Sequence, residues 1–291
     1  MAADRYLHLD VFPASPGGGN HLGVVVDARH WSDRRMQGFA RWIGLVETVF
    51  LLPPRDPRAS YRVRIFTPER EIPFAGHPTV GSAHAVLSCG LAEPVDGKLW
   101  QECDAGVLPL RVEGHGEQRL LFFEAPPVRI LRQGSAAHPL LAAALRGLES
   151  GALPPVLIEG GRRWWLAEAV DEASLRTWQP DHAAIAALAR ATDSMGLCVF
   201  ARSTRPDYQL ATRAFPAGAG IVEDPASGAA NGLLGAYIAL TGPDGALARG
   251  YAVSQGREMG HDARLHVRIE NGRIWVGGSA RTVIDGTLDW P

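Results

Sequence analysis

Three polar side chains stand where their chemistry could matter: Glu47, His77 and Asp224. Glu47 lies in "GLVETVFLLPP", residues 44–54, where everything from Leu45 to Leu52 is apolar except Glu47 itself and Thr48. Threonine suits a strand, but a carboxylate taken out of water without compensation is costly. It therefore either points to solvent or is held there for a purpose. His77 and Asp224 each flank a glycine-bearing turn, "AGHPT" and "EDPASG", that leads into an apolar segment. Carboxylates and imidazoles are the side chains that exchange protons near neutral pH. Each also has a structural reading. Asp224 before Pro225 suits a helix N-cap with proline at the first helical position, and His77 before Pro78 suits a cap or turn.

Other chemistries find less support. His77 and His84 are seven residues apart, two helical turns or about 10 Å, too far to share a metal. No HExxH or Cys/His cluster occurs, so no metal is assigned. "PGGGNHLGVVV" lacks the spacing of a phosphate-binding loop and reads as the first turn between strands. No G-x-S-x-G is present. Lys98 is the only lysine in the chain and sits in the turn "VDGK", which argues against Schiff-base chemistry.

The elements that position the three residues occur twice, about 150 residues apart. The first set reads "SDRRMQGFARWIGLVETVFLLPP" and "YRVRIFTPEREIPFAGHPTVGSAHAVL". The second reads "PDHAAIAALARATDSMGLCVFARS" and "YQLATRAFPAGAGIVEDPASGAANGLLGAYIAL". Each runs through an amphipathic helix, a strand ending in Val-Phe (Val49-Phe50 or Val199-Phe200), a strand closing at Phe66 or Phe215, and then E-x-P-x-x-G. Next comes an apolar segment with no charged face, the signature of a buried helix, with Gly90 or Gly242 placed as its C-cap. Strand-like segments with alternating apolar residues finish each half, among them "RLHVRIENG", whose Asn-Gly favours a hairpin.

This order predicts an α+β fold of two pseudo-symmetric lobes, each a curved, mainly antiparallel sheet wrapped around one central apolar helix. The expected lobes are residues 1–132, with the helix at about 78–88, and 133–291, with the helix at about 226–240. The last strands are free to return to the first lobe. A helix N-terminus is a ready anion site, and two such ends facing one cleft would suit a small carboxylate. Duplicated structure preserves what the fold needs, so polar groups present in one copy alone are candidates for what a reaction needs. Glu47 answers Leu197, His77 answers Ala229 and Asp224 answers Ile72.

Composition sets the frame. At 291 residues, 46% hydrophobic and 21% charged, the chain has the make-up of a folded protein with ample core. A net charge of -2 gives no electrostatic footprint for nucleic acid. No signal peptide or membrane span is visible. Three cysteines without a CxxC pair indicate a reduced, cytoplasmic protein.

These pieces resemble the PhzF-like family of phenazine biosynthesis proteins, which share the fold of diaminopimelate epimerase. The matching stretches are "GGGNHLGVVVDA", "ETVFLLPP", "RIFTPEREIPFAGHPTVGSAHAVL", "EDPASGAANGLLGAYI" and "SQGREMG", spread over nearly the whole chain. The resemblance implies a cofactor-independent isomerase, a homodimer, that moves a carbon-bound proton on a small carboxylic acid. It places Glu47 as general acid and base, with His77 and Asp224 assisting. Gly76 and its neighbours Ala75 and Pro78, together with Ser227, Gly228, Ala229, Asn20 and Gln255, are the expected substrate-binding residues. The alternatives are a cofactor-free epimerase or racemase using two cysteines, or a non-catalytic small-ligand binding protein on the same fold. The family pattern has serine where this chain has Val46 and Ala229, Gly-Asn-Pro where it has Asn20-His21, and Arg-Pro-Ser in place of His261, Asp262 and Ala263. Missing hydroxyls of that kind bear on which substrate is accepted.

Overall fold

The computed structural model of the chain describes residues 4–242 and 245–290. It is a mixed α/β fold, rich in strand with few helices, and it divides into two compact units: Met1–Glu124 with Gly277–Pro291, and Ala125–Val276.

The first unit runs β1 (Asp4–Val11), β2 (Asn20–Val26), α1 (Asp33–Ile43), β3 (Thr48–Leu52), β4 (Tyr61–Phe66), β5 (Glu71–Ile72), α2 (Gly76–Ser88), β6 (Lys98–Cys103), β7 (Gly106–Glu113) and β8 (Leu120–Glu124). The second runs β9 (Arg129–Gln133), α3 (Leu141–Ala144), β10 (Val156–Gly160), β11 (Arg162–Glu168), α4 (Glu172–Thr177), α5 (His182–Thr192), β12 (Gly196–Arg202), β13 (Leu210–Phe215), α6 (Gly228–Leu240), β14 (Gly250–Gln255), β15 (Ala263–Glu270) and β16 (Arg273–Gly278). The chain closes with β17 (Ala280–Leu288), which pairs antiparallel with β1 in the first unit.

Strand pairing in each unit is mainly antiparallel, as the sequence suggests, with two parallel pairs in each. In the first unit β2 pairs parallel to β3 and β4 parallel to β6, with antiparallel pairs between. In the second, β11 pairs parallel to β12 and β13 parallel to β14, again with an antiparallel pair between. The reason is the helices. A parallel neighbour needs a crossover rather than a hairpin, and α1, α2, α5 and α6 are those crossovers. The N-terminal hairpin is antiparallel, Val11 facing Asn20 across the glycine-rich turn.

Burial follows residue type. α1 begins at Ser32, whose hydroxyl caps the Arg35 N–H, buries Met36, Phe39 and Ala40, and stops at Gly44 with φ 70°. Those side chains meet Trp31, Phe50 and Phe66 in an aromatic cluster on the outer side of the sheet. α2 is different, being buried all round from Gly76 to Ala83. It packs on β1, β2, β3, β4, β6, β8 and β17, which makes it the central helix of its unit. Gly81 permits this close approach, since a Cβ there would stand 2.3 Å from Leu22 Cδ2. α6 is buried to the same degree and packs on β10, β11 and β15. Gly90 and Gly242 take positive φ just beyond the ends of α2 and α6. Asn271 and Gly272, both at positive φ, make the turn from β15 to β16.

Candidate active site

Glu47 is placed by the register of β2 and β3. Gly23 pairs with Thr48 and Val24 with Val49, so the residue before Thr48 shares its face with Val49. That is the face against α2, because Leu9, Val11 and Leu22 all reach Gly81. Glu47 thus stands one residue ahead of the strand the sequence suggested, its side chain 14% exposed, at the start of the enclosed helix. Its Oε2 lies 3.6 Å from Nε2 of His77.

His77 is the second residue of α2 and is 6% exposed. It does not cap the helix. The N-cap is Ala75, which has no side chain able to accept. Burial, offset in part by a hydrogen bond to the backbone of His21, pushes the imidazole down to about 3, so it is neutral. Nε2 has no hydrogen-bond partner, which leaves Nδ1–H to donate to the His21 carbonyl. The Nε2 lone pair then faces the Glu47 carboxyl group. The arrangement is a carboxyl group and a proton acceptor in one dry corner, beside the positive end of a 13-residue helix. Pro78 has no N–H, so the open backbone donors there belong to the first residues, Gly76 and His77. Asn20, 3% exposed, begins β2 beside His21. Val46, where a family serine would stand, is 36% exposed.

The other candidates surround the start of α6 in the second unit. Asp224 is not the N-cap. Its N–H bonds to the Ala214 carbonyl, its Oδ1 accepts from the Ala226 N–H, and its carbonyl accepts from Gln255 Nε2 at 2.7 Å. The chain takes another extended step before Ser227, whose hydroxyl caps the Ala230 N–H at 3.3 Å. Helix α6 therefore starts at Gly228, with Ala229 exposed on its first turn. Gln255 is fully buried, and its Oε1 accepts from Thr212, the Ser227 N–H and Asn231. Its side chain organises this helix start and keeps little for a ligand. His261 and Asp262 follow a short 3₁₀ turn, where Asp262 pairs with Arg257 at 2.9 Å.

Two devices escaped the sequence reading. The repeated glutamates are clamps: Glu71 takes a two-pronged pair from Arg64, at 2.7 and 2.6 Å, and Glu223 takes one from Arg213, at 2.9 and 3.0 Å. Buried Gln101 ties β6 to α2 through Thr79 and Ser82, as Gln255 ties β14 to α6. The signal was available in two strand-like segments that both carry this glutamine, "KLWQE" and "GYAVSQG". Cys89 lies at the far end of α2, whereas Cys198 of β12 pairs with Ala214, which is itself bridged to Asp224 ahead of α6. Burial pushes all three thiols up, Cys198 to about 12.

Among the described residues no group of three or more His, Cys, Asp or Glu is arranged to hold a metal ion, and no helix is long and apolar enough to cross a membrane.

Known proteins share this architecture and sequence. A phenazine biosynthesis protein of the PhzF family from Bacillus anthracis superposes with a TM-score of 0.84 over 99% of both chains, at 24% identity. Antisense-enhancing sequence 1 of Schizosaccharomyces pombe is 32% identical, covering 98% of this chain and 99% of its own. Trans-2,3-dihydro-3-hydroxyanthranilate isomerase of Pseudomonas aeruginosa is 31% identical, over 91% of this chain and 90% of its own. Relatives at this level of identity and coverage make the chain an isomerase. The chain belongs to the phenazine biosynthesis-like (PhzC-PhzF) family, whose profile matches residues 9–286.

Proposed function

We propose that the protein is a cofactor-independent isomerase that shifts a carbon-bound proton on a small carboxylic acid, with Glu47 as both base and acid. The observation that carries this reading is the 3.6 Å approach of Glu47 to His77 in a nearly dry corner. The carboxylate takes a proton from carbon, and the neutral His77 Nε2 is placed to share it before it returns to a second carbon. The open start of α2, with the Gly76 and His77 N–H groups, is the seat for the substrate carboxylate. Ala75 and Pro78 shape that seat, and Asn20 lies beside it. The family resemblance that gives Glu47 its part gives Asp224, ahead of α6 in its own unit, that of an assisting carboxylate, and gives Ser227, Gly228 and Ala229 a part in substrate binding. Gln255 acts by holding Asp224 and Ser227 in place.

The Pseudomonas relative is named for a carboxylic acid, which supports the substrate class. Val46 and Ala229 offer no hydroxyl, so the compound itself is expected to differ. Cys89 stands at the far end of α2 and burial raises the Cys198 thiol far above the range of a reactive one, so a two-cysteine epimerase finds no support. We further read the two units as pseudo-symmetric copies of one duplicated element, and a cytoplasmic homodimer as the working form.

The test is exchange of the substrate's carbon-bound proton with solvent deuterium, screened over cyclic and unsaturated carboxylic acids. Glu47→Gln is expected to slow exchange by about 10²–10⁴-fold while the variant still folds and binds. Equal rates in wild type and variant would remove Glu47 from the reaction. Asp224→Asn is expected to retain exchange at the first carbon and slow overall turnover.

A further inference from the structure

β17 is an edge of the first unit's sheet. It pairs with β1 on one side, and among the described residues no strand pairs with its other side. Such an edge offers unpaired backbone N–H and C=O groups to any chain able to add a strand, so proteins guard it with charge, proline, bulges or cover. The guard on β17 is incomplete. It has no proline, Asp285 is tied to Arg5 of β1, and the middle of the strand is apolar and open, with Val283 59% and Ile284 54% exposed.

Register brings the apolar pair together. Arg281, Ile284 and Gly286 stand opposite Asp10, His8 and Tyr6 of β1, and opposed residues share a face. That is the outer face, where Tyr6 meets Phe39 of α1. Thr282 and Asp285 take the inner face, and Thr282 reaches His84 of α2 at 3.1 Å. The pairing slips by one residue between His8 and Leu9, which makes Val283 the extra residue of a bulge. Val283 borders the same surface hollow as His8 and Arg281, so the bulge displays two apolar side chains next to each other. Gly286 is a second oddity. Its backbone is not left-handed, and a Cβ there would meet nothing within 4 Å. Nothing inside the protomer requires glycine at this place, and a glycine within a strand often marks the close approach of another chain.

We propose that β17 pairs antiparallel with β17 of a second copy of the chain, about a two-fold axis between Val283 and Ile284. A two-fold contact must be self-complementary, and the register must keep outer residues opposite outer ones. This centre satisfies both conditions. Val283 faces the partner's Ile284, Thr282 faces the partner's Asp285, and Arg281 faces the partner's Gly286. Four apolar side chains then close into one cluster at the axis. The Arg281 stem lies in the space left by the partner's Gly286, and no like charges are opposed. Centred on Val283 alone, the strand would set Arg281 and Asp285 against each other from different faces. The proposal names the interface of the homodimer read above and rests on that reading, whereas the proton chemistry plays no part in it.

Sedimentation equilibrium of the full chain is expected to give twice the 31.3 kDa of one protomer. Amide hydrogen exchange over residues 280–288 should slow as concentration rises through the dissociation constant. Ile284→Lys is expected to weaken the dimer by about thirtyfold or more, as loss of a central contact does. Gly286→Val fills space that is open in the protomer, so the variant should fold as the wild type does while the partner's Arg281 loses its place and the dimer weakens by a similar factor. That variant decides the matter if Ile284→Lys does not fold. A chain that stays monomeric at every concentration would overturn the proposal and the homodimer reading together. A dimer that both substitutions leave intact, or one in which β17 exchanges as fast as in the monomer, would overturn this interface while the homodimer reading stands. Species that grow past a dimer would overturn the two-fold pairing.

Discussion

The start of α2 and the start of α6 hold the same place in their own units and are finished differently. Both follow a strand whose arginine clamps a glutamate, Arg64 on Glu71 and Arg213 on Glu223. Both are tied from beneath by a buried glutamine, Gln101 or Gln255. There the likeness stops. α6 satisfies itself, with a Ser227 cap and Asn231 bonded back to the Ser227 carbonyl. α2 has alanine at its cap, and an imidazole and a carboxyl group where α6 has Ala229 and Leu197. A helix start closed by its own side chains is architecture. One that leaves its donors open beside a buried acid has stability to gain that it has not taken, and function is the usual reason.

The largest effect that would sharpen this contrast is chemical. Glu47→Gln should cost about 10²–10⁴-fold in proton exchange, whereas Leu197→Gln in the second unit should cost stability. Exchange kinetics and urea unfolding on both variants separate the two.

Next come the clamps. Glu223→Gln leaves Arg213, 6% exposed, without its main partner, and the expected loss is about 3 kcal/mol in urea unfolding. Glu258, at 4.0 Å, recovers some of the charge interaction and keeps the loss near the lower end for such pairs. Glu71→Gln should cost less, about 1–2 kcal/mol, because Glu71 is 27% exposed and Arg64 retains Asp33. Equal losses would mean the clamps do not differ in burial as described.

A comparable effect is expected from acid. His77 titrates near 3 in the folded chain and near 6.5 once unfolded. Below about pH 6.5 the unfolded chain therefore binds the extra proton, and stability falls with pH until His77 itself titrates. By about pH 4 the loss from this residue is on the order of 3 kcal/mol. His77→Phe should flatten that part of the curve. His84 and His266, pushed down to about 4 chiefly by burial, act in the same direction in both proteins. An unchanged slope in His77→Phe would show that the imidazole is not held neutral.

The smallest effect separates the caps. Ser227→Ala should lose about 1 kcal/mol. Ala75→Ser should gain up to about that much, by taking up a donor of α2, and bind substrate more weakly. Gain in both stability and affinity would contradict an open seat at α2.

Much of this layout is legible in the sequence because burial writes periodicities. The charge-free stretches after Gly76 and Gly228 do become enclosed helices, and the strands closing at Phe66 and Phe215 end there. What depends on pairing is not written in the same way. Glu71 faces Phe66 across a short hairpin, and only that register brings it to Arg64. Asp224 beside Pro225 carries the local signature of a cap, yet Gln255 from another strand holds its carbonyl and delays the helix by three residues. The strands β9, β10 and β11 have no counterpart among the elements read from the sequence, although the second and third join through little more than Gly161. The tie from His77 to His21 uses a carbonyl, which every residue possesses, so no side-chain pattern announces it.

Gly81 sits four residues past His77, facing β1 and β2 with hydrogen where any other residue has carbon. How deeply α2 can settle into its sheet, and so how far its tip stands from Glu47, is limited there. Gly81→Ala would lift the helix by the width of a methyl group and stretch the gap between acid and imidazole without altering either. The separation of acid and imidazole is thus inherited from a packing dimension one turn away, and a redesign of this corner would have to begin at that notch.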